Sequence, residues 1–205
     1  MQALIGRKIG MTQILQEDGV AVPVTILQAG PCTVTQIRDQ EQDGYTAVQL
    51  GFEESKKQSK PMAGHTKKSK LAAKIIREFR VDDVPEDAQV GASFDVTKFN
   101  VGDQVTVRGV SKGKGFAGTV KRHNFNTSKS SHGGKGSIRK PGSIGSMYPQ
   151  KVMKGKKMAG QMGSVKTTVK NQKVVLIDTD SNLLGIRGSV PGPNKSIVTI
   201  EGVSV

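Results

Sequence analysis

Apolar and polar positions alternate in several short stretches of the chain. Val20, Val22, Val24 and Ile26 fall on every second residue, as do Val48, Leu50 and Phe52, and then Val105 and Val107. A strand turns successive side chains to opposite faces, so this alternation predicts half-buried β-strands. Pro23 has no amide hydrogen to give a sheet ladder, which marks the first of them as an edge or a bulge. Val174-Val175-Leu176-Ile177 and Leu183-Leu184-Gly185-Ile186 flank Asp178-Thr179-Asp180-Ser181-Asn182, the pattern of a hairpin. Pro191-Gly192-Pro193-Asn194 turns the chain before Ile197-Val198-Thr199-Ile200. Leu71, Ala72, Ile75, Ile76 and Phe79 recur at helical spacing and predict a short amphipathic helix within 70–80. Thr119-Val120-Lys121-Arg122 reads as strand. Short strands at such spacing predict a mostly β protein, a barrel or sandwich. No internal repeat is visible.

One region breaks the pattern. Residues 111–170 hold eight Leu, Ile, Val and Phe in sixty positions, and 11 of the 25 glycines. They carry 14 Lys and Arg and no acid, so this stretch equals the whole formal excess of +14. The other segments cancel: 1–50 is −2, 51–80 is +6, 81–110 is −4 and 171–205 is zero. So few core formers at such charge cannot offset the ~1–2 kcal/mol that fixing each backbone residue costs. A solvated linker shares that composition, but it has no need of charge of a single sign. Pro141, Pro149 and the glycines also punctuate the stretch as turns rather than as a Gly/Ser repeat. Such a chain becomes ordered when phosphates neutralise it, with Gly allowing close backbone approach. The predicted architecture is a β body over 1–122 and 163–205, with a basic, partly helical insertion at about 55–80, and an extended loop over 123–162. If the loop folds back on itself, ~20 residues out and ~20 back reach ~65 Å.

The length of 205 residues suits one medium domain or a domain with an appendage, and 35% apolar content supports a core. No apolar run is long enough for a membrane helix. The start, Met1-Gln2-Ala3-Leu4-Ile5-Gly6-Arg7-Lys8, lacks a charged region ahead of an apolar one, so no secretory signal is expected. Cys32 is the single cysteine, which rules out an internal disulfide. A cytoplasmic protein with a strong preference for polyanions is expected.

Several motifs tempt towards enzymology. Gly113-Lys114-Gly115-Phe116-Ala117-Gly118 matches GxGxxG, yet a dinucleotide site needs an acid ~20 residues on, and the next is Asp178. Gly109-Val110-Ser111-Lys112-Gly113 matches GxSxG, but no His follows the first downstream acid, and a tight turn explains the glycines. A hydrolase using Ser111 with His65, His123 or His132 is therefore a distant alternative. Three scattered His and one Cys lack metal-ligand spacing, so no metal and no cofactor are expected. Asp82-Asp83 and Glu86-Asp87 read as a solvated acidic surface.

The basic residues point instead to backbone binding. Lys112, Lys114, Lys121, Arg122, Lys135, Arg139, Lys140, Lys151, Lys154, Lys156 and Lys157 are mostly Lys, a hydrated point charge, whereas base readers are more often Arg. His123 and His132 are read as donors to phosphate or base edges. Phe116, Phe125 and Tyr148 are the only aromatics there for stacking, too few for a single-strand platform. The expected partner is folded RNA or DNA recognised by shape and phosphates, with no membrane and no small-molecule substrate. A nucleic-acid chaperone working outside any assembly is the second reading.

The wording of the chain also resembles a family. Gly6-Arg7-Lys8-Ile9-Gly10-Met11-Thr12, Pro23-Val24-Thr25, Asp43-Gly44-Tyr45 and Lys60-Pro61-Met62-Ala63-Gly64-His65 are similar to the N-terminal half of bacterial large-subunit ribosomal protein L-three. Ser111-Lys112-Gly113-Lys114-Gly115-Phe116-Ala117-Gly118, Lys121-Arg122-His123, Pro141-Gly142-Ser143-Ile144-Gly145, Lys154-Gly155-Lys156-Lys157-Met158-Ala159-Gly160, Met162-Gly163 and Val190-Pro191-Gly192 continue the likeness along essentially the whole chain. The resemblance implies a translation-protein-type β-barrel and no catalytic activity. It implies a structural role in the large ribosomal subunit, bound to large-subunit ribosomal RNA and neighbouring ribosomal proteins. It further implies a part in early assembly and a loop running toward the peptidyl-transferase centre, with its tip near Gly142 to Gln150. By matched strings it assigns RNA contacts to Lys112, Lys114, Lys121, Arg122, His123, Arg139, Lys151, Lys154, Lys156 and Lys157. Ile138 stands where many relatives have His, and Ser146-Met147-Tyr148-Pro149-Gln150 departs from the common bacterial wording. The end at Val205 carries no basic tail, so no further RNA anchor is expected there.

Overall fold

Alternating branched residues do form strands in this chain. The computed structural model describes residues 1–16 and 18–203. Six antiparallel strands close into a barrel in the order β1 (Ala3–Leu15), β12 (Ile197–Gly202), β7 (Gln104–Val110), β10 (Lys166–Asp178), β11 (Leu183–Arg187) and β2 (Ala21–Ala29). Closure removes the free edges that would otherwise invite pairing with other chains. A four-stranded sheet follows the order β5 (Ala73–Arg80), β4 (Ala47–Glu54), β3 (Cys32–Arg38) and β6 (Ser93–Phe94). A small pair joins β8 (Phe116–Ala117) and β9 (Gly160–Gln161). The short helices are α1 (Gln40–Asp43), α2 (Lys60–Thr66) and α3 (Thr119–His123). The chain divides into two compact units, one of Met1–Ser111 with Lys166–Val205 and one of Lys112–Val165.

The first unit holds the core. Leu4, Ile5, Leu27, Leu184, Ile186 and Ile200 of the barrel are fully buried, in one apolar cluster with Val34, Val48 and Leu50 of the sheet. Val105 and Val107 are equally buried on β7. Val20, by contrast, precedes β2 and is exposed. Pro23 pairs with Gln13 on β1, while pairing of β2 with β11 stops at Val24 opposite Arg187. Its carbonyl faces the β11 side, accepting from the Gly188 amide, so the missing amide hydrogen falls at the open end of that pair. The predicted hairpin is β10 with β11, and Asp178 Oδ1 closes its turn by accepting from the amides of Asp180 and Ser181. Lys8 is buried and its ammonium donates to the carbonyls of Val190 (2.7 Å) and Gly192 (3.1 Å). That bond ties the Gly6–Thr12 string to the Val190-Pro191-Gly192 turn. Burial pushes the Cys32 thiol up to about 12, so it is an inert core group.

Two predicted elements change type, and Gly109 and Val110, predicted as a tight turn, belong to β7. The stretch predicted as a helix within 70–80 is the edge strand β5, paired in one register from Ala73 opposite Glu54 to Arg80 opposite Ala47. Its inward face is Ala73, Ile75 and Phe79, but Arg77 interrupts that face and Ile76 sits on the other. The interruption disguised a period of two as a period of 3.6, and an edge strand tolerates such a charge. Thr119-Val120-Lys121-Arg122, predicted as strand, lies in α3. Gly118 caps it in an extended conformation, the Arg122 amide donates back to Gly118, and Asn124 ends it at φ 57°. Thr119 and Val120 occupy the first turn, where no preceding turn crowds a branched side chain. The chain end at Val205 lies outside the described residues. Among the described residues no helix is long and apolar enough to cross a membrane.

Candidate nucleic-acid interface

The unit Lys112–Val165 is built as a stem and a limb. In the stem, the Lys114 amide donates to Met162 and the Met162 amide to Gly115, both at 2.9 Å. Phe116 and Ala117 then pair with Gln161 and Gly160. Gly163, at φ +74°, lets the chain pass so close to Lys112 that a side chain would overlap its carbonyl. Beyond the strands, Arg122 Nη1 donates to the Met158 carbonyl at 2.8 Å, and His123 Nε2 lies 3.1 Å from the same oxygen. A β-carbon on Gly160 would stand 2.7 Å from that Arg122 nitrogen. Two residues read from the sequence as RNA contacts therefore also clasp the outgoing and returning chains together.

Past this clasp, long-range bonding stops. Among the described residues, the hydrogen bonds of 126–157 join positions no more than ten apart, as from the Ser128 amide to Ile138 (3.0 Å) or the Lys156 amide to Met153 (3.3 Å). Ala117 is the only buried apolar residue of the unit among those described. Met147 and Tyr148 are 90% and 86% exposed. Lys112, Lys114, Lys121, Lys135, Arg139, Lys140, Lys151, Lys154, Lys156 and Lys157 are all exposed, and Arg122 and His123 are half-buried. All twelve sequence-predicted residues thus share one unit. Lys129 is absent from that predicted set but is equally exposed, and the acid-free composition was the signal for it. With no Asp or Glu in the unit, none of its cations has an ion-pair partner within it.

The GxGxxG glycines and two of the three histidines have structural places. The GxGxxG glycines run through the stem ladder into a helix of five residues. His65 Nε2 faces Gln49 Oε1 at 3.3 Å and His123 faces Met158. Among the described residues, no three of His, Cys, Asp and Glu gather into a metal site.

The chain is thus a β-barrel protein with an acid-free, mostly Lys limb. Comparison with known sequences makes the class particular. The family model described as "Ribosomal protein L3" matches residues 79–183. The "Large ribosomal subunit protein uL3" of Syntrophobacter fumaroxidans is 46% identical over 205 residues, covering 98% of this chain and 97% of the relative. Its namesake from Chlorobaculum tepidum is 48% identical over 204 residues, covering 98% of each. That from Alkalilimnicola ehrlichii is 48% identical, covering 97% of this chain and 93% of its own. The chain belongs to the ribosomal protein L3 family, a structural family without catalytic activity.

Proposed function

We propose that this protein is a structural constituent of the large ribosomal subunit in the cytoplasm. It binds large-subunit ribosomal RNA, contacts neighbouring ribosomal proteins and assists early subunit assembly, with the loop over 123–162 running through RNA toward the peptidyl-transferase centre. The observation that carries this reading is the unit Lys112–Val165: twelve Lys and Arg, no acid, and one buried apolar residue among those described. Hydrocarbon burial at ~25 cal/mol per Å² cannot fix such a chain, whereas phosphate contacts supply counter-charge to each ammonium. Lys112, Lys114, Lys121, Lys135, Arg139, Lys140, Lys151, Lys154, Lys156 and Lys157 neutralise phosphates. Arg122 keeps further guanidinium N–H groups for the same task, and the resemblance assigns His123 to the same surface.

Two measurements test this. After a moderate salt wash, the protein co-sediments with the large subunit; release as free protein would favour a chaperone acting outside the ribosome. Replacing Lys154, Lys156 and Lys157 together by Ala lowers the slope of log affinity against log salt by about two to three, at ~0.7–0.9 per phosphate contact. An unchanged slope contradicts neutralisation by this cluster.

A further inference from the structure

The other unit carries a basic surface that the proposed function leaves unassigned. Residues 55–70 contain Lys56, Lys57, Lys60, Lys67, Lys68 and Lys70 and no acid. All six are exposed, and none of them makes an ion pair among the described residues. Five cations elsewhere in the same unit do sit beside acids. Arg7 and Lys74 meet Glu53, Arg38 meets Asp43 and Glu78, Lys98 meets Asp87, and Arg108 meets Glu201. The total of +14 less the +12 of 112–165 leaves this unit +2, so outside the six lysines it is net −4. An ordinary solvated face intersperses both signs, as the rest of this unit does. Six ammoniums of one sign in sixteen residues repel one another until a polyanion neutralises them.

Their mount is already ordered. Thr66 and Ser69 are buried; Thr66 Oγ1 donates to the Met62 carbonyl (3.0 Å) and Ser69 Oγ to the Thr66 carbonyl (2.8 Å). Gln58 Nε2 donates to Thr66 Oγ1 at 3.2 Å, and the Ser55 amide bonds the Ala72 carbonyl at 2.8 Å. His65 faces Gln49 on the central strand β4. Pro61 fixes the first turn of α2. These bonds hold the six lysine stems on a folded platform, unlike the limb beyond the Arg122 clasp.

We infer that Lys56, Lys57, Lys60, Lys67, Lys68 and Lys70 form a second, preformed site for the phosphate backbone of RNA. The inference rests on the reading of this chain as a ribosomal RNA-binding protein. The chain then grips RNA at two places, one shaped before binding and one shaped by it. A preformed site has less conformational entropy to lose, so it engages first and turns binding of the limb into an intramolecular step.

Full-length protein and large-subunit ribosomal RNA transcribed in vitro decide the matter. Lys67, Lys68 and Lys70 are changed together to Gln, and separately to Arg. The Gln variant keeps its thermal unfolding midpoint, because all three side chains are exposed. Its salt slope falls by about two to three, so between 50 and 200 mM salt its affinity declines about 20- to 40-fold less than the parent's. The Arg variant keeps the parental slope, and the Gln effect adds to that of the Lys154, Lys156 and Lys157 substitutions. An unchanged slope in the Gln variant, with a lowered slope in the limb variant, refutes the second site and leaves the ribosomal reading standing. Unchanged slopes in both overturn the reading beneath it. Lost binding to phosphatidylserine vesicles with an unchanged RNA slope would assign the patch to a membrane instead and refute the inference.

Discussion

Glu53 is the charge on which the sheet and the first barrel strand meet. Its carboxylate accepts from Arg7 Nε at 2.6 Å and Arg7 Nη2 at 2.8 Å, with Lys74 Nζ at 3.4 Å. The Arg7 hydrogen bond, chiefly, holds the Glu53 carboxyl below the usual carboxylate range, against a smaller upward push from burial. A carboxylate whose folded pKa is depressed stabilises the fold fully above its unfolded value and loses that contribution as pH falls through the folded one. The gap in unfolding midpoint between the parent and Glu53→Gln is therefore largest near neutrality and closes as pH falls through and below the ordinary carboxylate range. A gap independent of pH would mean that the pair contributes packing rather than charge. The sequence carried no sign of this pair, since Arg7 and Glu53 are joined by folding and not by spacing. Lys8 was equally illegible: one Lys among many, it is buried because two turn carbonyls need a donor.

At the scale of elements, legibility followed how cleanly each strand kept its period. β4 is buried from Ala47 to Phe52, β7 alternates as far as Val107, and β10 with β11 is announced by its Asp-rich turn. β5 escaped because Arg77 faces the side that Ala73, Ile75 and Phe79 share, a compromise available only at a sheet edge. α3 escaped because five residues give no periodicity, and its existence depends on Gly118, Asn124 and the Met158 carbonyl. That carbonyl makes a sharp prediction at Gly160. Gly160→Ala brings a methyl to 2.7 Å from Arg122 Nη1, so the guanidinium must swing off Met158. Losing one partly buried, charge-assisted hydrogen bond costs about 1.5–3 kcal/mol of local stability. Hydrogen exchange at Arg122 and Met162 amides is expected to quicken by about tenfold or more, while amides of β7 and β10 keep their protection. Unaltered exchange at the stem would show that the clasp does not hold it.

The whole molecule divides into a part with an apolar core and a part without one. Every large, fully buried side chain, from Leu4 to Ile200, lies in Met1–Ser111 or Lys166–Val205, and the limb beyond the clasp adds none among the described residues. Composition made this division readable, because absence of acid and scarcity of Leu, Ile, Val and Phe coincide in one stretch. Composition did not reveal the stem, whose ladder depends on glycines that permit close backbone approach. Deleting 126–157 and joining the ends with a short Gly linker tests the division. His123 and Met158 already lie 3.1 Å apart at bonding atoms, so closing the gap distorts little. The shortened protein is expected to unfold cooperatively at a midpoint within a few degrees of the parent. The deletion removes eight Lys and Arg and no acid, so the salt slope for large-subunit RNA falls by as much as about six to seven. Amides of 126–157 in the parent are expected to exchange rapidly in dilute buffer and to become protected when RNA is added. Loss of cooperative unfolding in the shortened protein, or slow exchange of the free limb, would mean that the limb draws its shape from the body and not from its polyanion.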